Sequence, residues 1–255
     1  MKDPALPPLA LIDWGIGGLS VHAALMTQMP GLAVTYVSDA GFTPYGLLAR
    51  TALQNRLSML VDALAARGVQ RVFLACNAAS SALAHGAPFA LPVSGMIEAG
   101  VQAVSALSPR RVGIVAGRRT VQSGVYRRHL AATGLACRQR ILQPLSAAIE
   151  RGDCDSKATR ALVERVVAPL AGVDAILLAC THYPAALNAF QLALPHMRFV
   201  DPAHQAAATL LRTCGAAQVA MGTTRVLTTG DGAQMRRAAK AAFGVTLPAA
   251  ENLAL

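Results

Sequence analysis

Short apolar runs of strand length alternate along the chain with longer amphipathic stretches. Residues 9–12, 33–37, 72–75, 112–115, 175–179 and 198–200 predict strands, and residues 19–29, 49–67, 100–107, 123–133, 159–170 and 203–214 predict helices. The runs are apolar throughout rather than alternating, the pattern of strands covered by helices on both faces. The fold class that follows is α/β with mainly parallel sheets.

Composition narrows this picture. A chain of 255 residues makes one large domain or two small ones, and Gly 21 with Pro 14 is too little for a low-complexity or collagen-like chain. The longest charge-free stretch, 72–97, is long enough to span a membrane, but Asn77, His85, Gly86, Pro88, Pro92 and Gly95 interrupt it, which excludes a transmembrane helix. Residues 1–11 hold one Lys, then Asp3 and three prolines, unlike a secretory signal, so a cytoplasmic address is expected. Lys+Arg 23 against Asp+Glu 13 gives +10, yet the basic residues lie in scattered pairs such as Arg110-Arg111, Arg118-Arg119 and Arg127-Arg128 without interleaved aromatics. That describes a solvated basic surface, and no nucleic-acid partner is expected. Five cysteines at 76, 137, 154, 180 and 214, with no CxxC pair, indicate neither a disulfide framework nor a zinc cage, so no metal is expected.

In a parallel α/β sheet, ligands bind at the carboxyl ends of the strands. Three such ends are rich in chemistry: Asp13-Trp14-Gly15-Ile16-Gly17-Gly18, Cys76-Asn77-Ala78-Ala79-Ser80 and Cys180-Thr181-His182-Tyr183-Pro184. The last two are copies in outline, each an apolar run ending Leu-Ala-Cys-polar. This weak internal repeat predicts two similar halves, residues 1–97 with 207–255 and residues 98–206, each presenting a thiol to a shared cleft. Residues 92–100 and 199–204 are the expected crossovers.

A thiolate is a usable base when its pKa is lowered, and a thiol on the opposite face of a bound carbon can return the proton. Two opposed thiols therefore invert a stereocentre. Cysteine is also a small hydrophobe that packs well, the role expected of Cys137, Cys154 and Cys214. For Cys76 and Cys180 both roles stand open, with helix-start amides after each favouring a thiolate. His182 either lowers the Cys180 pKa, relays a proton or caps the turn before Pro184. Asp13 either supports Cys76 or caps the following helix. Gly15, Gly17 and Gly18 form GxGG, a weak nucleotide signal; their amides are expected to approach a small carboxylate instead. Pro44-Tyr45-Gly46 reads as a turn, or as amides and a phenol presented to a ligand.

Together these motifs resemble the cofactor-independent aspartate/glutamate racemases, the glutamate racemases most closely. The likeness runs from Asp13 to Asp201. It is carried by Asp13-x-Gly-x-Gly-Gly-Leu-Ser-Val21, Tyr36-Val37-x-Asp39 followed by Pro44-Tyr45-Gly46, and Ala75-Cys76-Asn77-x-Ala79-Ser80. Thr120-x-x-Ser123-Gly124-x-Tyr126, Glu150-x-Gly152 and Cys180-Thr181-His182-Tyr183-Pro184 complete it. The resemblance implies two pseudo-symmetric α/β domains with the active site between them, and a two-base racemisation of a small amino acid without cofactor. It implies Cys76 and Cys180 as the acid/base thiols, Asp13 as the acid beside Cys76, and His182 with Glu150 as support for Cys180. Asn77, Thr181, Tyr45 and Gly46 are implied ligand contacts, with Trp14, Pro44, Ala78 and Thr120 in the same binding set. A homodimer is the implied assembly, and a D-glutamate product implies a role in peptidoglycan precursor synthesis.

Three positions depart from the pattern: Trp14 stands where glutamate racemases have Ser, Ala78 where they have Thr, and Gly117 where they usually have Thr. Each loses a hydroxyl, and one charge-assisted hydrogen bond contributes about 1.5–3 kcal/mol. Glutamate is the default substrate; aspartate, another amino acid or a specialised metabolite is the alternative these changes motivate, and a non-catalytic binding protein is the alternative of a different class. A decarboxylase of the same superfamily needs one thiol only, so the presence of both argues against it.

Overall fold

The computed structural model describes residues 6–83, 89–214 and 220–255; His85, Gly86, Pro88 and the first five residues lie outside them. The chain begins β1 (Leu9–Asp13), α1 (Leu19–Gln28), β2 (Thr35–Ser38), α2 (Arg50–Ala65), β3 (Arg71–Leu74), α3 (Asn77–Ser80) and β4 (Val93–Gly95). It continues through α4 (Met96–Ser105), β5 (Arg111–Ala116), α5 (Arg118–Ser123), α6 (Val125–Ala132), β6 (Ala136–Ile141), α7 (Gln143–Glu150), α8 (Lys157–Val167) and β7 (Ala175–Ala179). It ends with α9 (Leu187–Ala193), β8 (Phe199–Val200), α10 (Ala203–Thr213), β9 (Arg225–Thr228), α11 (Gly232–Phe243) and β10 (Glu251–Asn252). Among the described residues no helix is long and apolar enough to cross a membrane.

The strands form two sheets, of order β10-β9-β2-β1-β3-β4 and β6-β5-β7-β8, and the pairings within both are parallel. The order β2-β1-β3-β4 recurs in the second sheet four strands later, as β6-β5-β7-β8. The two Leu-Ala-Cys runs thus occupy equivalent strands, β3 and β7. Successive residues of a strand point to opposite faces, and in β1 Ala10 and Ile12 meet α2 while Leu9 and Leu11 face the other way. Helix α2 answers with Leu53, Leu57, Leu60, Val61 and Leu64, one fully buried stripe at helical spacing. Each such side chain contributes roughly 1.5–3 kcal/mol by leaving water. The outer face of the second sheet packs on Val101, Val104, Val125, Tyr126 and Leu130 from α4 and α6. A single continuous core, including Leu9, Leu11, Val115, Leu145, Ile176 and Leu178, runs between the two sheets and joins the halves.

Several expectations need correction. The helix expected over 123–133 is α6 (Val125–Ala132), and a further helix, α5, precedes it, separated by Gly124 with a left-handed φ of +67° that redirects the chain. The crossover expected over 92–100 contains β4 and the first turn of α4, and 199–204 contains β8 and the start of α10. Strand β6 was not anticipated: as an edge strand with a largely solvated Ala-Cys-Arg-Gln-Arg-Ile sequence it lacks the apolar signature of its neighbours. Strands β9 and β10 and helices α7, α9 and α11 also lie outside the elements the sequence predicts; α11 is capped by Asp231, whose carboxylate accepts from the amides of Ala233 and Gln234.

His22 lies buried in α1, its Nε2 2.7 Å from the Thr224 hydroxyl, its ring edge-on to Tyr36. Burial lowers its pKa from the ordinary 6.5 to about 4. Below pH 6.5 the unfolded chain takes up a proton that the folded chain refuses, so folding loses stability as pH falls from 6.5 through 4, by about 3 kcal/mol in all. Urea unfolding across that range is expected to show a shallower pH slope for His22→Gln than for the parent chain; equal slopes would contradict the assignment.

Candidate active site

Each chemistry-bearing residue follows the carboxyl end of a strand, and the two sheets aim these ends at one cleft. Asp13 ends β1 and Trp14 follows it, the loop reaching Tyr45 follows β2, and Cys76, Asn77 and Ala78 follow β3. From the second sheet come Gly117 and Thr120 after β5, Gln143 and Ser146 after β6, and Cys180 and His182 after β7. Between them lies a cavity of about 50 Å³, lined by both cysteines together with Trp14, Pro44, Tyr45, Gly46, Asn77, Ala78, Gly117, Thr120, Gln143, Ser146, Ala179 and His182. Asp13, Glu150 and Thr181 stand behind this wall. The sequence reading did not single out Gln143 and Ser146, because both follow the unrecognised β6.

The two thiols have different surroundings. Cys76 is buried at the N-cap of α3, and burial, followed by the charge of Asp13, raises its pKa well above the usual thiol range. The expectation that helix-start amides lower the Cys76 pKa is overturned: the Ala79 amide acts in that direction, but desolvation outweighs it. Cys76 is therefore held as a thiol. Asp13 is fully buried, with Oδ2 accepting from the Gly18 amide at 2.8 Å and Oδ1 without a hydrogen-bond partner. Its pKa is raised by burial, against the opposing pull of His182, Gly18 and Cys76.

Cys180 is half-buried, its Sγ 3.9 Å from Nδ1 of His182. Nε2 of the same ring lies 2.6 Å from Oε1 of Glu150, which also accepts from the Ile16 amide at 2.8 Å. Burial alone would lower the His182 pKa, but its contacts with Cys180 and Glu150 and the charge of Asp13 carry it well above 6.5. Burial would raise Glu150, yet His182 and the Ile16 amide hold it below its ordinary value. An imidazolium and a carboxylate are thus paired at neutral pH, with the imidazolium facing the Cys180 sulfur.

The glycine turn serves this network rather than a ligand, correcting the expectation that its amides approach a carboxylate substrate. The Ile16 amide goes to Glu150 and the Gly18 amide to Asp13, and none of Gly15, Gly17 and Gly18 lines the cavity. A Cβ at Gly15 would collide with the Glu150 carboxylate, and one at Gly17 with the His182 ring. Tyr45 is likewise not a free phenol: its hydroxyl donates to Asp39 at 2.8 Å. The fully buried Asp39 also pairs with Arg56 through both carboxylate oxygens and accepts from the Thr229 hydroxyl. Arg56 stacks 4.3 Å over Phe42, whose carbonyl accepts the Trp14 indole N–H at 2.9 Å. Asp39 therefore anchors the segment that carries Pro44, Tyr45 and Gly46 to the cavity wall, and that segment's Phe42 carbonyl pins Trp14 as a wall.

Asn77 Nδ2 in the cavity lining, and Asp13 Oδ1 and Thr181 Oγ1 behind it, are buried without a hydrogen-bond partner among the described residues. An orphaned buried polar atom is costly, and Asn77 Nδ2, on a residue of the cavity lining, is one that a polar ligand there would satisfy. The Tyr126 hydroxyl donates to Asn77 Oδ1 at 2.6 Å, which holds the side chain in place.

The profile of the Asp/Glu/Hydantoin racemase family matches residues 21–210. The chain is 33% identical over 212 residues to the glutamate racemase of Saccharopolyspora erythraea, covering 80% of this chain and 78% of that protein. It is 32% identical over 244 residues to the glutamate racemase of Ralstonia nicotianae, covering 91% and 87%. Its structure superimposes on that of glutamate racemase from Thermus thermophilus in complex with β-chloro-D-alanine with a TM-score of 0.85, at 28% identity, covering 100% of this chain and 99% of that one.

Removing one partner from a buried ion pair strands the other charge, at a cost of about 3–5 kcal/mol. Arg56→Gln is expected to lower unfolding stability by about 3 kcal/mol by urea denaturation; a loss under about 1 kcal/mol would mean that Tyr45 and Thr229 alone satisfy Asp39.

Proposed function

The chain belongs to the aspartate/glutamate racemase family, and from that premise and the geometry of the cleft we propose that it is a cofactor-independent amino acid racemase acting on glutamate. One observation carries the proposal: two cysteines at equivalent strand ends of the two sheets line one cavity, each backed by its own ionisable partner. A base on one face of Cα and an acid on the other invert the centre without moving the substrate.

The surroundings of the two thiols suggest their roles in one half-reaction. Cys180, with the His182 ring 3.9 Å from its sulfur to take and return its proton, removes the Cα proton, while Cys76, kept as a thiol by burial, delivers its proton to the opposite face. The Cα–H bond breaks as the Cys180 S–H bond forms, and the Cys76 S–H bond breaks as the new Cα–H bond forms. The reverse half-reaction exchanges the roles, with Asp13 taking up or returning charge beside Cys76. Removal of the Cα proton pushes negative charge onto the substrate carboxylate, where preorganised donors count most. Asn77 Nδ2 and Thr181 Oγ1, each one residue beyond a thiol, are suited to that task.

The names of its relatives support glutamate as substrate. Trp14, Ala78 and Gly117 favour the second reading, a racemase for aspartate or another amino acid, because they leave the cavity with an indole wall and without three hydroxyls. With glutamate, the D-glutamate formed from the free amino acid in the cytoplasm would feed peptidoglycan precursor synthesis.

Incubation in D₂O with a panel of L- and D-amino acids, followed by proton NMR, tests the assignment. Loss of the Cα–H signal with inversion is expected for glutamate, reduced by about 10²–10⁴-fold or more in Cys76→Ala and in Cys180→Ala. No exchange with any amino acid, or exchange with inversion that survives either substitution, would overturn it.

A further inference from the structure

Two side-chain amides line the cavity, and the oxygen of each is already engaged. Asn77 is held by the Tyr126 hydroxyl; Gln143, the first residue of α7, accepts at Oε1 from the Arg118 amide at 2.8 Å. A backbone N–H can only donate, so the oxygen of Gln143 must be the atom at that contact and its nitrogen is turned away. Nε2 makes no hydrogen bond to a described residue. The amide lies flat against two glycines: a Cβ on Gly46 would come within 2.6 Å of Oε1 and 2.7 Å of Nε2, and one on Gly117 within 3.0 Å of Oε1. Gln143 holds this position because both neighbours lack side chains.

Its place in the sheet decides what it can reach. Gln143 follows β6, which is separated from β7 by β5. Two strand spacings of about 4.8 Å put its strand end roughly 10 Å from that of Cys180. The reacting carbon must lie between the thiols, where Asn77 and Thr181 stand beside it, so Gln143 addresses the distal part of a bound amino acid. Among the described residues no Lys or Arg lines the cavity, and Trp14, Pro44 and Ala78 offer little polarity. We propose that Gln143 is the specificity-determining residue: its Nε2 N–H group donates to a side-chain carboxylate oxygen of the substrate, and Gly46 and Gly117 are the two seats that keep the amide in place. In this chain the Gln143 amide fills the space that a side chain on Gly117 would need.

The proposal rests on the racemase reading, and the test separates the two. Exchange kinetics in D₂O are measured for glutamate and for 2-aminopentanoate, which has a similar chain without the carboxylate. A hydrogen bond to a charged group predicts that Gln143→Ala raises KM for glutamate by about tenfold or more, leaves kcat within about threefold, and leaves 2-aminopentanoate unchanged. Gln143→Glu, which keeps an oxygen for the Arg118 amide and hence the local fold, is expected to raise KM for glutamate further by like-charge repulsion. Gly117→Thr is expected to impair glutamate binding in the parent chain, where it displaces the amide, and much less in the Gln143→Ala background. A KM for glutamate within about twofold of the parent in Gln143→Ala, or equal effects on both substrates, would overturn the role of Gln143 while leaving the racemase reading intact. A parent chain inert toward all amino acids would overturn the racemase reading, and this proposal with it.

Discussion

One carboxylate oxygen ties the site together. Oε1 of Glu150 accepts both from the Ile16 amide, in the turn after β1, and from Nε2 of His182, beyond the end of β7. Through that atom the first sheet, helix α7 and the second sheet meet at a point directly behind the cleft. A mostly buried carboxylate without such partners would be protonated rather than charged; here the imidazolium and the amide together overcome desolvation, and the pair persists at neutral pH. The glycines of the turn follow from the same requirement, since a side chain on Gly15 would occupy the space of the Glu150 carboxylate and one on Gly17 that of the His182 ring.

The repeat in strand order gives the two halves equivalent frames, but the chemistry on them is unequal. Beyond β3 stands a thiol deep in the protein beside a buried carboxyl group; beyond β7 stands a thiol closer to solvent beside a protonated imidazole. Two groups of the same residue type are thus distinguished by environment alone, which is what the proposed division of acid and base requires. Such a division lets one pair of thiols exchange roles between the two directions of a reversible inversion, with proton inventories kept by different neighbours on each side.

The fold class was legible because β1, β3, β5 and β7 are central and covered on both faces, so their sequences are continuously apolar. The cleft was legible wherever it hangs from those strands, as for Asp13, Cys76 and Cys180. It was illegible beyond β6, whose exposed face gives Arg138 and Arg140 the look of a loop, and Gln143 and Ser146 were hidden with it. Local sequence also could not show how groups are shared across long separations. Asp39 claims the Tyr45 hydroxyl, and Glu150 reaches across 134 residues to claim the Ile16 amide, so a phenol and a backbone amide that looked available for ligand are committed to the protein.

The central claim is that each thiol serves one face of the substrate carbon. The most direct measurement is the isotopic content of both enantiomers during the first turnovers in D₂O, starting from protiated glutamate of either hand. Two opposed thiols predict that the product carries deuterium at Cα from its first appearance while the recovered starting enantiomer keeps its hydrogen. Protium carried from substrate into product, or deuterium entering the recovered substrate as fast as product forms, would point to one base on one face and contradict the account.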